Sequence, residues 1–151
     1  MRYLLVDRIA AVDPCNKIAG IKNVAMSEDF LEFHFPKNPI MPGIMLLEAL
    51  VQLSGWLEAA SSDFRKWFLV SRVLKCSFYG FVLPGDQVEL SVSVSPAPSD
   101  DLKIYSGAAK VNGKRKIKAE FQGNLVDLET LEEVEEQKRL FQILTRGNLG
   151  I

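Results

Sequence analysis

Residues 34–60 read HFPKNPIMPGIMLLEALVQLSGWLEAA, and two physical demands meet inside that stretch. Its first ten residues carry Pro36, Pro39 and Pro42. Each proline fixes φ and lacks a donor N–H, so together they forbid regular pairing and predict a shaped loop. From Ile44 to about Ala60 the pattern predicts one helix. Its residues Ile44, Met45, Leu46, Leu47, Ala49, Leu50, Val51 and Leu53 are apolar on nearly every side, and such a helix belongs inside a core. Because Pro42, Gly43, Glu48 and Gln52 interrupt the run from Ile40 to Leu57, it makes a poor membrane span and a good buried helix.

On either side of this helix the sequence reads as sheet. Tyr3 to Ile9 is expected as a strand, closed by the turn-forming Asp13-Pro14-Cys15-Asn16. Lys17 to Met26 returns as a second strand, and Ser27-Glu28-Asp29-Phe30 predicts a short helical turn on a Ser cap. After the helix, Trp67–Tyr79, Gln87–Ser95, Leu102–Asn112 and Lys114–Val126 are rich in Val, Ile, Phe, Tyr and Ser. Asn112-Gly113 between the last two is a strong hairpin signal. Beyond Asp127, Leu128, Leu131, Val134, Leu140, Phe141 and Leu144 recur among charges and predict an amphipathic helix. An antiparallel sheet wrapped around a central helix satisfies this α+β order. The expected organisation is one domain over 1–126 and a helical tail over 127–151.

The 151 residues suffice for one domain with a substantial core, and 48% of them are hydrophobic. A formal net charge of −1 gives no electrostatic argument for nucleic acid or a membrane surface as partner. Asp7 and Arg8 interrupt the apolar run that a secretory leader would need. Cys15 and Cys76 stand apart, and His34 is the only histidine, so no metal site and no cofactor is expected. A reduced, cytoplasmic protein is the plain expectation.

Three features of the opening stretch reach beyond folding. His34 sits in a proline-stiffened loop, where its ring is held at low entropic cost. Pro42-Gly43 opens a helix whose free N–H groups and dipole favour a developing oxyanion, and Gly43 permits close approach to the backbone. Glu48 is a lone carboxylate in an apolar helix and is expected to be buried, which is costly unless it is protonated or hydrogen-bonded. Gln52, one turn on, is placed to orient it. A base, an oxyanion donor and a protonated carboxyl are what β-elimination beside a carbonyl requires. The same residues also fit a structural histidine and a helix glutamate tied to the backbone, and spacing leaves the two readings level.

His34-Phe35-Pro36-x-x-Pro39-x-x-Pro42-Gly43, followed by Leu47-Glu48-Ala49-x-x-Gln52, resembles the signature of bacterial 3-hydroxyacyl-acyl carrier protein dehydratases. Leu4-Leu5-Val6-Asp7-Arg8, Lys22-Asn23-Val24 and Pro84-Gly85-Asp86-Gln87 extend the resemblance over roughly 3–126. It implies a hot-dog fold and a homodimer with its site across the interface. It also implies His34 as catalytic base, Glu48 as catalytic acid, Gly43 as oxyanion donor, and acyl carrier protein as the partner that delivers substrate. Glutamate at position 48 resembles the branch that dehydrates without isomerising. Pro42, Gln52 and the aromatics Trp67 and Phe68, the last two as a possible gate, complete the expected substrate contacts.

The departures carry their own expectations. Phe33 and Lys37 stand where the family has glycine, which should reshape the loop or narrow its mouth. The family's helix ahead of the Leu4 motif has no counterpart in this sequence. Where members carry basic docking residues, this chain has Ser77-Phe78-Tyr79-Gly80-Phe81, so docking is expected to move to Lys37 or to Lys114-Arg115-Lys116. A hot-dog thioesterase and a non-catalytic acyl-binding module are the alternatives.

Overall fold

The computed structural model describes residues 3–147. Among them, six strands form one antiparallel sheet: β1 (Arg8–Asp13), β2 (Lys17–Asn23), β3 (Lys66–Phe78), β4 (Gln87–Ser95), β5 (Lys103–Val111) and β6 (Lys114–Asp127). Their spatial order is β1-β2-β4-β5-β6-β3. Helix α1 (Gly43–Ser61) connects β2 to β3, and α2 (Val134–Thr145) follows β6.

Strands β2, β4, β5 and β6 alternate as a half-buried sheet must, whereas β3 is exposed along most of its length. β4 points Val88, Leu90 and Val92 inward and Glu89, Ser91 and Ser93 outward. Tyr105 and Ala109 of β5 and Ile117, Ala119 and Phe121 of β6 continue the same inner face. Onto it α1 lays Ala49, Leu50, Leu53 and Leu57, all 0% exposed. Each leucine so buried stabilises the fold by about 1.5–3 kcal/mol. By length and composition α1 could cross a bilayer, but here the sheet encloses it as the core helix. The Asn112-Gly113 turn joins β5 to β6 with Val111 facing Lys114, as the sequence predicts.

Four local expectations are corrected. β1 starts at Arg8, not Tyr3: the Asp7 N–H still reaches Ile21 O of β2 at 2.8 Å, but the Leu5 N–H donates to Gln52 Oε1 of α1 at 2.9 Å. β2 ends at Asn23, and the short 3-10 turn Asp29–Glu32 is preceded by Glu28 with no side-chain cap. Glu28 instead accepts from the Lys22 ammonium at 2.6 Å, and Asp7 lies 3.5 Å from the same ammonium, so this buried cation is paired twice. The C-terminal helix starts at Val134, after a 3-10 turn over Leu128–Thr130. The segment after Asp127 joins the main core: Phe141 packs on Trp56 and Phe64, at ring separations of 5.9 and 5.3 Å. Residues 148–151 of the expected tail lie outside the described residues.

Candidate active site

The proline-rich segment folds as a closed turn. The Phe35 N–H donates to Asn38 O at 2.9 Å, the Asn38 N–H returns to Phe35 O at 3.0 Å, and the Ile40 N–H donates to His34 O at 2.8 Å. The half-buried His34 ring is held on both sides. It stacks on Phe35 at 4.2 Å, and its Nδ1 lies 2.8 Å from Ile40 O. A carbonyl oxygen only accepts, so in the neutral ring Nδ1 bears the proton and the Nε2 lone pair is free. The Met41 N–H, donating to Val82 O at 2.8 Å, anchors the far end of the loop to the segment before β4.

The loop delivers the chain into α1. Pro42 is its N-cap residue, contributing no capping side chain but accepting the Met45 N–H on its carbonyl at 2.9 Å. The first N–H groups of the helix therefore stay available at its positive end. His34, Met41, Gly43, Ile44, Phe78 and Phe81 are among the residues around a largely apolar cleft of about 460 Å³. A Cβ on Gly43 would fall 2.5 Å from Phe78 Cε1. Glycine is thus what lets an aromatic ring, and anything that displaces it, lie against the helix N-terminus. Phe78 is a site residue that sequence reasoning missed; it stood out there only as part of a docking segment lacking charge.

Glu48 is where the structure departs most from expectation. It is exposed, not buried, and it does not line the cleft that holds His34 and Gly43. The reason is rotational. α1 turns Ala49, Leu50 and Leu53 to the sheet, and this leaves Ile44, 63% exposed, and Glu48 on a flank that the described residues do not cover. The expected orienting contact is present: Gln52 Nε2 donates to Glu48 Oε1 at 3.1 Å and to Tyr3 O at 2.8 Å.

The two candidate gate aromatics part company. Trp67 is partly buried, meets Trp56 edge-on at 5.1 Å, and borders a second hollow of about 320 Å³ together with Gln52. Phe68 is 1% exposed and packs on Tyr105 and Phe121, so its ring faces the core and not a cleft. Successive strand residues point to opposite faces, and only one of an adjacent pair can reach the hollow. The core also holds a polar pair that the sequence did not announce. The Tyr105 hydroxyl donates to Glu58 on α1, and Lys103 Nζ stands 3.4 Å from the same carboxylate. Burial, and then Glu58, push the Tyr105 hydroxyl far above its usual range, so it remains a neutral donor tying helix to sheet.

The basic hairpin comes to the mouth of the His34 cleft. The Tyr79 N–H donates to Lys116 O at 2.9 Å, and Arg115 lies over the Tyr79 ring at 5.9 Å. Lys116 Nζ is 3.3 Å from where a Cβ of Gly80 would stand, and Gly80 lines the cleft. The segment without charges of its own is thereby flanked by two cations from β6.

Comparisons with known proteins bear on the family and the fold. The sequence model of the FabA-like domain matches residues 1–120. A protein of Thermoanaerobacter sp. (strain X514) named 3-hydroxyacyl-[acyl-carrier-protein] dehydratase FabZ is 40% identical over 116 residues, 76% of this chain and 77% of its own. A protein of the same name from Geobacter metallireducens is 36% identical over 132 residues, 85% and 87% of the two chains. Among solved structures, smu.793 of Streptococcus mutans bound to acetyl CoA superposes with a TM-score of 0.64 at 12% identity, covering 84% of this chain and 94% of its own. The dehydratase heterocomplex ApeI:P of Xenorhabdus doucetiae gives 0.54 at 14% identity, over 74% and 88%. At such identities these structures speak for the fold alone.

Proposed function

The chain belongs to the FabA-like family of 3-hydroxyacyl-[acyl-carrier-protein] dehydratases and has its hot-dog fold; on that premise we propose that it removes water from a 3-hydroxyacyl thioester to give the trans-2-enoyl product in fatty-acid-type biosynthesis. The observation that carries the reading is the clamped His34. Ile40 O occupies Nδ1 at 2.8 Å, which leaves Nε2 as the base, and His34 borders an apolar cleft at a helix N-terminus without a side-chain cap.

In this reading Nε2 of His34 takes a proton from the α-carbon. The electron pair released forms the new double bond through an enolate-like state, whose oxygen accepts from the Gly43 N–H. Glu48 supplies a proton to the 3-hydroxyl as its C–O bond breaks, and water leaves. The histidinium and carboxylate then exchange a proton to reset the site. Pro42 and Phe78 shape the thioester end of the cleft, and Gln52 orients the Glu48 carboxyl.

Glu48 faces away from the cleft of its own chain, so the proposed partner for His34 is Glu48 of a second copy. What supports a homodimer is β3, a sheet edge that among the described residues pairs only with β6 and leaves Leu69, Val70, Val73 and Leu74 between 40% and 44% exposed. Such an edge calls for a partner strand. Gly43 packs at the Phe78 end of β3 and Gly55 at the Trp67 end. Antiparallel pairing of two β3 strands therefore sets the His34 end of one copy beside the Gln52 flank of the other. Carrier docking falls to Arg115 and Lys116 at the cleft mouth, with exposed Lys37 nearby in sequence to His34, and the working compartment is the cytoplasm.

Incubation with 3-hydroxyacyl thioesters followed by mass analysis tests the function. Loss of one water per acyl group is expected. Release of free acid would make the protein a thioesterase instead, and recovery of unchanged thioester would make it a binding module.

A further inference from the structure

Beyond the family-matched residues 1–120, the chain continues through the 3-10 turn at Leu128 into α2, and this continuation walls the second hollow. We propose that the C-terminal segment, through Leu128, Leu131 and Leu140, forms the end wall of the acyl-binding space and sets the longest chain accepted. The proposal rests on the dehydratase reading for the identity of the ligand.

The hollow begins at Gln52, whose amide is bonded to the Glu48 carboxylate at 3.1 Å. Four residues of α1, about 6 Å along its axis, therefore separate Glu48 from the start of the hollow. A thioester carbonyl and 3-hydroxyl placed at Glu48 leave the rest of the acyl chain to run along this flank. The apolar part of its lining suits such an occupant: Trp56 and Trp67, which cross at 5.1 Å, and the three leucines, with Gln52, Glu132 and Gln137 as its polar members. A volume of about 320 Å³ falls at the small end of the range for ligand pockets, which fits a medium acyl tail. The aromatic wall is held in place by Gly55, since a Cβ there would lie 2.3 Å from the Trp67 ring. At Leu131 the leucine wall is free to vary, because this side chain is 45% exposed and stands outside the core cluster that holds Leu128.

Both tryptophans of the chain border this hollow, so intrinsic fluorescence reports on its occupancy. Thioesters of N-acetylcysteamine bearing ω-bromodecanoyl or ω-bromobutanoyl groups make suitable probes, since bromine quenches indole only at contact. The ten-carbon probe should quench and the four-carbon probe should not. Leu131→Phe should weaken that quenching and lower the ratio of kcat/KM for 3-hydroxydecanoyl over 3-hydroxybutanoyl thioester by about tenfold. Leu140→Ala should raise the same ratio. Equal quenching by both probes, no quenching by either, or a ratio unmoved in both variants overturns the proposal. If no 3-hydroxyacyl thioester of any length is dehydrated, the enzymatic reading fails while the quenching comparison still decides the wall.

Discussion

The two flanks of α1 are built to different degrees of completion. The flank carrying Ala49, Leu50, Leu53 and Leu57 is sealed against β4, β5 and β6, with every one of these side chains at 0% exposure. The flank carrying Ile44, Glu48 and Gln52 is open, and beside it β3 leaves four aliphatic side chains in water. The same helix therefore ends one task inside the chain and leaves another outside it. The sealed flank is about stability. The open flank holds the polar groups, and its unfinished state is what the proposed second copy would complete, since removing water there would strengthen every electrostatic contact in the site.

The comparison breaks most readily at the catalytic pair. His34→Ala and Glu48→Gln should each lower kcat by about a hundredfold or more, with unchanged far-UV circular dichroism, because both groups act in one transition state. Retention of more than about a tenth of wild-type turnover by His34→Ala would remove it as the base.

Stability should show the opposite asymmetry. Leu50→Ala on the sealed flank is expected to cost about 2–5 kcal/mol in denaturant unfolding, since the cavity it leaves cannot collapse. Ile44→Ala on the open flank should cost the folded chain less than about 0.5 kcal/mol and show itself instead as a weaker dimer in sedimentation. Similar costs at both positions would contradict the division between flanks.

Subunit mixing sharpens the same point. If His34 of one copy works with Glu48 of another, each single-mutant dimer is inactive. Exchange of subunits between the two variants should restore about a quarter of wild-type activity, because about half the dimers are mixed and each regains one site of two. Failure of recovery after mass spectrometry has confirmed exchange would place both residues in one chain.

The smallest effect belongs to the cleft mouth. Lys116→Glu should raise KM severalfold for a carrier-bound substrate but not for a small thioester, and the difference should shrink at high salt. Equal kinetics on the carrier-bound substrate would move docking away from β6.

Much of this was legible in the chain itself. The alternation in Gln87–Ser95, the Asn112-Gly113 turn and the unbroken apolar run after Gly43 report their structure through local periodicity and turn chemistry, which do not depend on distant residues. The three prolines around His34 likewise announced a rigid loop, and the spacing of Glu48 and Gln52 announced their contact, because a helix brings positions four apart together whatever surrounds it.

Other features were settled only by the assembled fold. The rotation of α1 about its axis determined that Glu48 looks outward, and no sequence pattern marks rotation when a helix is apolar nearly all round. Strand phase sent Trp67 to a hollow and Phe68 to the core, a difference that two adjacent aromatics do not reveal. The pairing of β3 with β6 carried Arg115 and Lys116 to the segment that lacks charges of its own, across a separation bridged by register and not by neighbourhood in sequence. The residue types and their local geometry were written in the chain; their facing was a property of packing, because facing depends on which surfaces the whole molecule must remove from water.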